Sequence, residues 1–144
     1  MMRALLDVNV LIALLDGSHL HHRLVTDWLG SNIAAGWASC PITQNGCIRI
    51  LSQPNYPNPI SAAAVAERLM EATQHPSHEF WPDAISLLHP GCLHWNKVLG
   101  SRQVTDAYLL ALAVKQGGRF VTLDRGIPVA AVVGAKPEHL VMLV

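Results

Sequence analysis

A chain of 144 residues is long enough for one buried core and too short for two comfortable ones, so residues 1–144 are expected to form a single domain. Half of the residues are apolar and 14% are charged, yet no run of 18 or more uncharged apolar residues appears, which excludes an ordinary membrane-spanning helix. Ten basic and ten acidic side chains cancel, which argues against holding nucleic acid by bulk charge but leaves room for a nuclease that attracts phosphate through a local metal and a few arginines.

Asp7 and Asn9 follow the first apolar residues too early for a secretory leader, so a cytoplasmic location is expected. Cys40, Cys47 and Cys92 are odd in number and lack CxxC spacing, and are read as unpaired thiols rather than a disulfide framework or zinc site. High apolar content at zero net charge favours a surface covered by a partner.

In chain order, residues 3–10 begin as a short apolar strand, and residues 8–15 turn into helix. Ser18 is expected to cap a second helix running through Leu29, with Leu20, Leu24 and Trp28 at helical spacing and residues 30–36 closing it. Residues 37–40 read as a strand, 43–51 as a short helix, and the Pro- and Asn-rich stretch 53–59 as a loop. Ser61 opens a helix to about Ala72, residues 79–81 form a third strand, and residues 83–88 are expected to make a helical turn. Residues 89–102, with Pro90, Gly91 and Gly100, read mostly as loop. Residues 104–115 carry the strongest helical spacing, stopped by Gly117 and Gly118, and strands at 119–123 and 140–143 complete the alternation. Alternating strands and helices favour a parallel α/β sheet.

Three aspartates stand at the ends of apolar segments: Asp7 after Leu6, Asp106 near the start of the helix at 104–115, and Asp124 after Leu123. Ionised oxygen at the edge of a core is costly without a partner, and parallel strands would deliver Asp7 and Asp124 to one sheet edge. Three carboxylates in one place repel unless a cation compensates. Mg²⁺ or Mn²⁺, held by few carboxylates and substrate phosphate, answers that need and points to hydrolysis of a phosphate ester by metal-activated water. Asn9 and Thr105 are the polar neighbours. Each aspartate taken alone has a plainer reading: Asp7 as a helix cap, Asp106 as a first-turn acid favoured by the helix dipole, Asp124 as a turn residue.

Asp7-Val8-Asn9-Val10-Leu11, then Val104-Thr105-Asp106-Ala107-Tyr108-Leu109-Leu110-Ala111-Leu112-Ala113, then Phe120-Val121-Thr122-Leu123-Asp124, taken in that order, resemble the PIN-domain family and in particular VapC-type toxins. The likeness runs from about residue 3 to residue 143. It implies a three-layer α/β/α sandwich with a central parallel sheet, and a Mg²⁺- or Mn²⁺-dependent endoribonuclease that is the toxin of a type II toxin–antitoxin pair. It also implies inhibition by a VapB-like antitoxin, and a homodimer or toxin–antitoxin hetero-oligomer. Carried over by position, Asp7 and Asp106 match the primary metal-binding aspartates, and Asp124 matches the later acidic residue of the catalytic set, which supports the metal or its waters. Many PIN domains carry a glutamate on the helix after the second strand, where this chain has Thr43-Gln44-Asn45-Gly46-Cys47. Gln44 or Asn45 would then support the site without supplying the charge, leaving a second metal open.

Arg49, Arg102 and Arg125 are candidate RNA contacts, with Arg102 and Arg125 preferred because they lie near the acidic motifs in sequence. Asp83 is read first as a cap following Pro82. Trp28, Trp37 and Trp81 are expected in the core, leaving Trp95 as the base-stacking candidate. The competing readings are a PIN-like module that binds antitoxin or RNA with little catalysis, and a metal-dependent phosphatase, which lacks a D-x-D nucleophile motif at Asp7.

Overall fold

The computed structural model describes residues 2–144. Five short parallel strands form one sheet: β1 (Ala4–Leu6), β2 (Trp37–Ser39), β3 (His78–Phe80), β4 (Arg119–Thr122) and β5 (Leu140–Met142), in the spatial order β3-β2-β1-β4-β5. Around them lie α1 (Val8–Leu15), α2 (His22–Asn32), α3 (Pro41–Leu51), α4 (Ala62–Thr73) and α5 (Gln103–Lys115). The register sets Leu5 between Ala38 of β2 and Phe120 of β4.

Alternation along the strands divides the core between the two faces of the sheet. Ala4 and Leu6 join Val10, Leu11, Cys47, Val65 and Leu69 under α1, α3 and α4. Leu5 and Phe120 join Trp81, Leu109 and Leu112 under α5. The three-layer sandwich implied by the motifs is therefore present. Among the described residues no helix is long and apolar enough to cross a membrane.

α5 departs from a simple amphipathic helix. Residues 107–113 are buried without interruption, as expected of a helix covered on every side. The segments around Ile85, Leu87 and Leu93, and around Ile127, Val129 and Val132, wrap its outer surface, and a bridge between Leu93 and Val132 joins them. Burial of Leu109, Leu110 and Leu112 contributes about 1.5–3 kcal/mol each. The helix ends in paired bonds from Gly118 N–H to the Ala113 carbonyl (2.8 Å) and from Gly117 N–H to the Val114 carbonyl (3.1 Å). This Schellman arrangement requires the positive φ of 69° at Gly117.

Three sequence expectations give way. Ser18 is not a cap: its N–H is captured by the Asp16 carboxylate at 2.9 Å in a local turn. α2 therefore starts at His22, and it runs through Gly30 to Asn32 before a 3-10 turn ends at Gly36. Residues 83–88 form no helix, because Ile85 and Leu87 pack toward α5 while Ala84, Ser86 and Leu88 face solvent, a period of two. Asp83 consequently caps nothing.

The chain builds β1, β2 and β3 outward on one side and then returns to place β4 on the other side of β1. The carboxyl ends of β1 and β4 thus flank the point where strand order reverses, the place where open parallel sheets form their ligand crevices.

Candidate metal centre

Asp7 follows β1 at this crevice and is the N-cap of α1, its carboxylate accepting the Val8 N–H at 2.7 Å. The plainer reading of Asp7 as a cap is thus correct, and the same side chain also belongs to the acidic group. Its second oxygen accepts the Thr122 hydroxyl at 2.7 Å. Asp124 lies two residues beyond β4, and its N–H donates to the same Thr122 oxygen at 3.0 Å. Asp106 comes from the first turn of α5, on the opposite face of the sheet from α1. One carboxylate oxygen from each of Asp7, Asp106 and Asp124 lies within 4.8 Å of the other two.

The electrostatics of this cluster are adverse in the protein alone. Burial, opposed by the hydrogen bonds from Thr122 and Val8, raises the pKa of Asp7 to about 6. Burial and the neighbouring charges of Asp7 and Asp124 raise that of Asp106 to about 7. No basic side chain relieves them: the ion pairs among the described residues are Arg3–Glu79 and Arg23–Asp27. Hard carboxylate oxygens converging without a counter-charge fit Mg²⁺ or Mn²⁺, which take oxygen ligands.

Two residues stitch the crevice together. Thr122 ties the Asp7 carboxylate to the Asp124 backbone, and Asn9 accepts the Leu123 N–H at 3.3 Å, binding α1 to the end of β4. Asn9 was expected as a polar neighbour of the site and is found bracing its wall. Thr122 was missed by the sequence reading. Its only signal in the sequence is a hydroxyl two residues before an acid, directly after the apolar pair Phe120 and Val121.

A groove of about 500 Å³ opens beside Asp7, between α3 and the start of α5, with Val8, Asn45, Arg49 and Thr105 among its lining residues. Gly46 makes this closeness possible: a Cβ there would lie 2.7 Å from Val8 Cγ2. Of the two candidates on α3, Asn45 lines the groove. Gln44 instead donates to the Ser39 hydroxyl at 3.0 Å, which in turn contacts His78 Nε2 at 2.8 Å. Arg102 and Arg125 are exposed but do not line the groove, and Arg125 donates to the Val144 backbone oxygen at 3.2 Å. Arg49 lines it. Trp95 is half-exposed and also outside the groove, while Trp37 and Trp81 are buried as expected. Asp83 lies near the buried Tyr108 hydroxyl rather than in the acidic group; burial and then Asp83 push Tyr108 up to about 12.

Comparison with known proteins gives a consistent result. The profile of the PIN domain matches residues 4–133. The chain is 51% identical over 142 residues to Ribonuclease VapC44 of Mycobacterium tuberculosis, an alignment spanning 99% of this chain and 100% of that protein. It is 43% identical over 127 residues to Ribonuclease VapC29 of the same organism, covering 88% of this chain and 89% of the relative. Ribonuclease VapC38 is 40% identical over 125 residues, covering 86% of each.

Proposed function

The chain belongs to the PIN-domain family, and from that premise we propose that it is a VapC-type toxin, a metal-dependent endoribonuclease cutting RNA phosphodiesters by hydrolysis. The observation that carries the reading is the convergence of Asp7, Asp106 and Asp124 from three separate elements at the reversal point of the sheet. Asp7 and Asp106 would hold a divalent cation, with Asp124 as the third acid of the site. A bound Mg²⁺ or Mn²⁺ supplies a water acidified toward neutral pH and offsets charge developing on the phosphate.

The remaining work falls to the chain itself. Thr122 and the Val8 N–H fix the Asp7 carboxylate in one orientation, so that little reorganisation accompanies binding. Asp124, the most exposed of the three, accepts a proton from the attacking water. Asn9 keeps the two strand ends from separating as the site fills.

The likeness to VapC-type toxins over the whole chain supports an antitoxin or second toxin copy as partner. A module that binds RNA or antitoxin with little catalysis is favoured by one observation alone: α3 presents neutral Asn45 to the groove and turns Gln44 away. Incubation of the purified chain with RNA in Mg²⁺ or Mn²⁺, with a chelator control, separates the two. Cation-dependent fragments are expected; intact RNA that is nevertheless bound would establish the binding module instead.

A further inference from the structure

Arg49 is the only cation among the residues lining the groove beside Asp7. It is exposed, and no carboxylate pairs with it among the described residues. Asn45 lies one helical turn earlier on the same face of α3, about 6 Å along the axis and closer to the helix start at the sheet edge. The groove meets the acidic site at Asp7, with Thr105 beside Asp106 also on its wall, whereas Arg102 and Arg125 are not among its lining residues. The other walls include Val8, Ile42 and Ile50, apolar surface against which bases rather than phosphates can rest.

We infer that the groove along α3 is a binding channel for single-stranded RNA, with the Arg49 guanidinium gripping a phosphate next to the scissile one and Asn45 contacting the intervening nucleotide. This rests on the ribonuclease reading. The chemistry is specific to the residue: a planar guanidinium forms paired charge-assisted hydrogen bonds with phosphate, and in a chain of zero net charge such a local cation must supply attraction that the whole surface does not. The channel has no aromatic side chain among its lining residues, so stacking platforms of the kind used by general single-strand binders do not operate there. An alternative role for Arg49, favourable contact with the carboxyl end of α3, would act on stability and leave RNA affinity alone.

The test measures fluorescence anisotropy of a labelled short single-stranded RNA of mixed sequence on the Asp106→Asn chain, which cannot consume the probe, and on the same chain with Arg49→Gln, Arg49→Lys or Arg102→Gln. Arg49→Gln is expected to weaken binding about 10-fold and to lower the slope of log affinity on log salt by about 0.7, the value for one phosphate contact on a single strand. Arg49→Lys should restore the salt slope while recovering only part of the affinity. Arg102→Gln removes the same charge and should change affinity less than about two-fold. Equal losses for Arg49→Gln and Arg102→Gln, or no loss for either, would overturn the channel. So would unchanged RNA affinity with lost binding of a peptide partner, which would assign the groove to that partner. Cleavage by the otherwise wild-type chain is followed in parallel, so a protein that binds through Arg49 without cutting would refute the nuclease reading and leave the channel standing.

Discussion

Thr122 shows how one hydroxyl can govern a charged site. It donates to Asp7 and accepts from the Asp124 backbone, so Thr122→Val is expected to lower Mn²⁺ affinity by about 10–100-fold in a calorimetric titration, in line with other supporting contacts around metal ligands. Unchanged affinity would show that Asp7 holds its orientation without it. The raised pKa values give a second prediction at this scale. Asp7 (about 6) and Asp106 (about 7) both exceed the ordinary aspartate value of 3.8. Their contribution to metal-free stability is therefore fully present below about pH 4 and is lost as pH rises through about 6 to 7. His19 and His78, lowered by burial, pull the opposite way as pH falls, so the informative comparison is between variants. In chelator, Asp106→Asn should melt above wild type at about pH 8, with the gap narrowing as pH falls and closing only by about pH 4. A gap independent of pH would deny the burden of buried charge. The three aspartates were legible in the sequence because a carboxylate ending an apolar segment is conspicuous. Thr122 was not, because a threonine in a strand is ordinary until its partner across the sheet is known.

The elements bring these residues together through two close approaches. α3 lies against α1 at Gly46, where a methyl group would press on the stiff β-branched Val8; Gly46→Ala should cost about 1–3 kcal/mol in urea unfolding. A cost near zero would mean that α3 shifts freely. The same helix locates the acid that many PIN domains carry. Asn45→Glu adds a carboxylate on the groove side and should tighten divalent-cation binding, whereas Gln44→Glu places it against Ser39 and should leave cation affinity nearly unchanged. Titration of both variants with Mn²⁺ decides the matter, and a stronger effect at Gln44 would contradict the side-chain assignment. Strand positions and the long helix at 103–115 were readable from spacing and from the glycine stop. The start of α2 was not, because Asp16 competes for the backbone of Ser18 and wins. Nor was the path of residues 83–88, whose two inward side chains suit either a helical turn or an extended strap until α5 is seen beneath them. The facing of Gln44 and Asn45, adjacent on one helix, depends on helix rotation that residue type alone does not specify.

At the scale of the molecule, the order β3-β2-β1-β4-β5 accounts for the function proposed, because it sets the ends of β1 and β4 side by side and lets α5 approach from the opposite face. The acidic centre is then assembled from residues 7, 106 and 124 by topology rather than by proximity in sequence. The same topology brings Arg49, remote from all three acids along the chain, into the groove beside Asp7. Balanced charge over the whole chain implies that substrate recognition is local, around one acidic centre and one channel. The central claim is that these carboxylates hold the cation used to cut RNA. Its most direct test is RNA cleavage in Mg²⁺ by wild type, Asp7→Asn and Asp106→Asn, each first shown by circular dichroism to be folded. Cleavage by wild type and its loss by at least about 100-fold in both variants is predicted, as expected when a metal ligand is removed; equal cleavage by all three would contradict it.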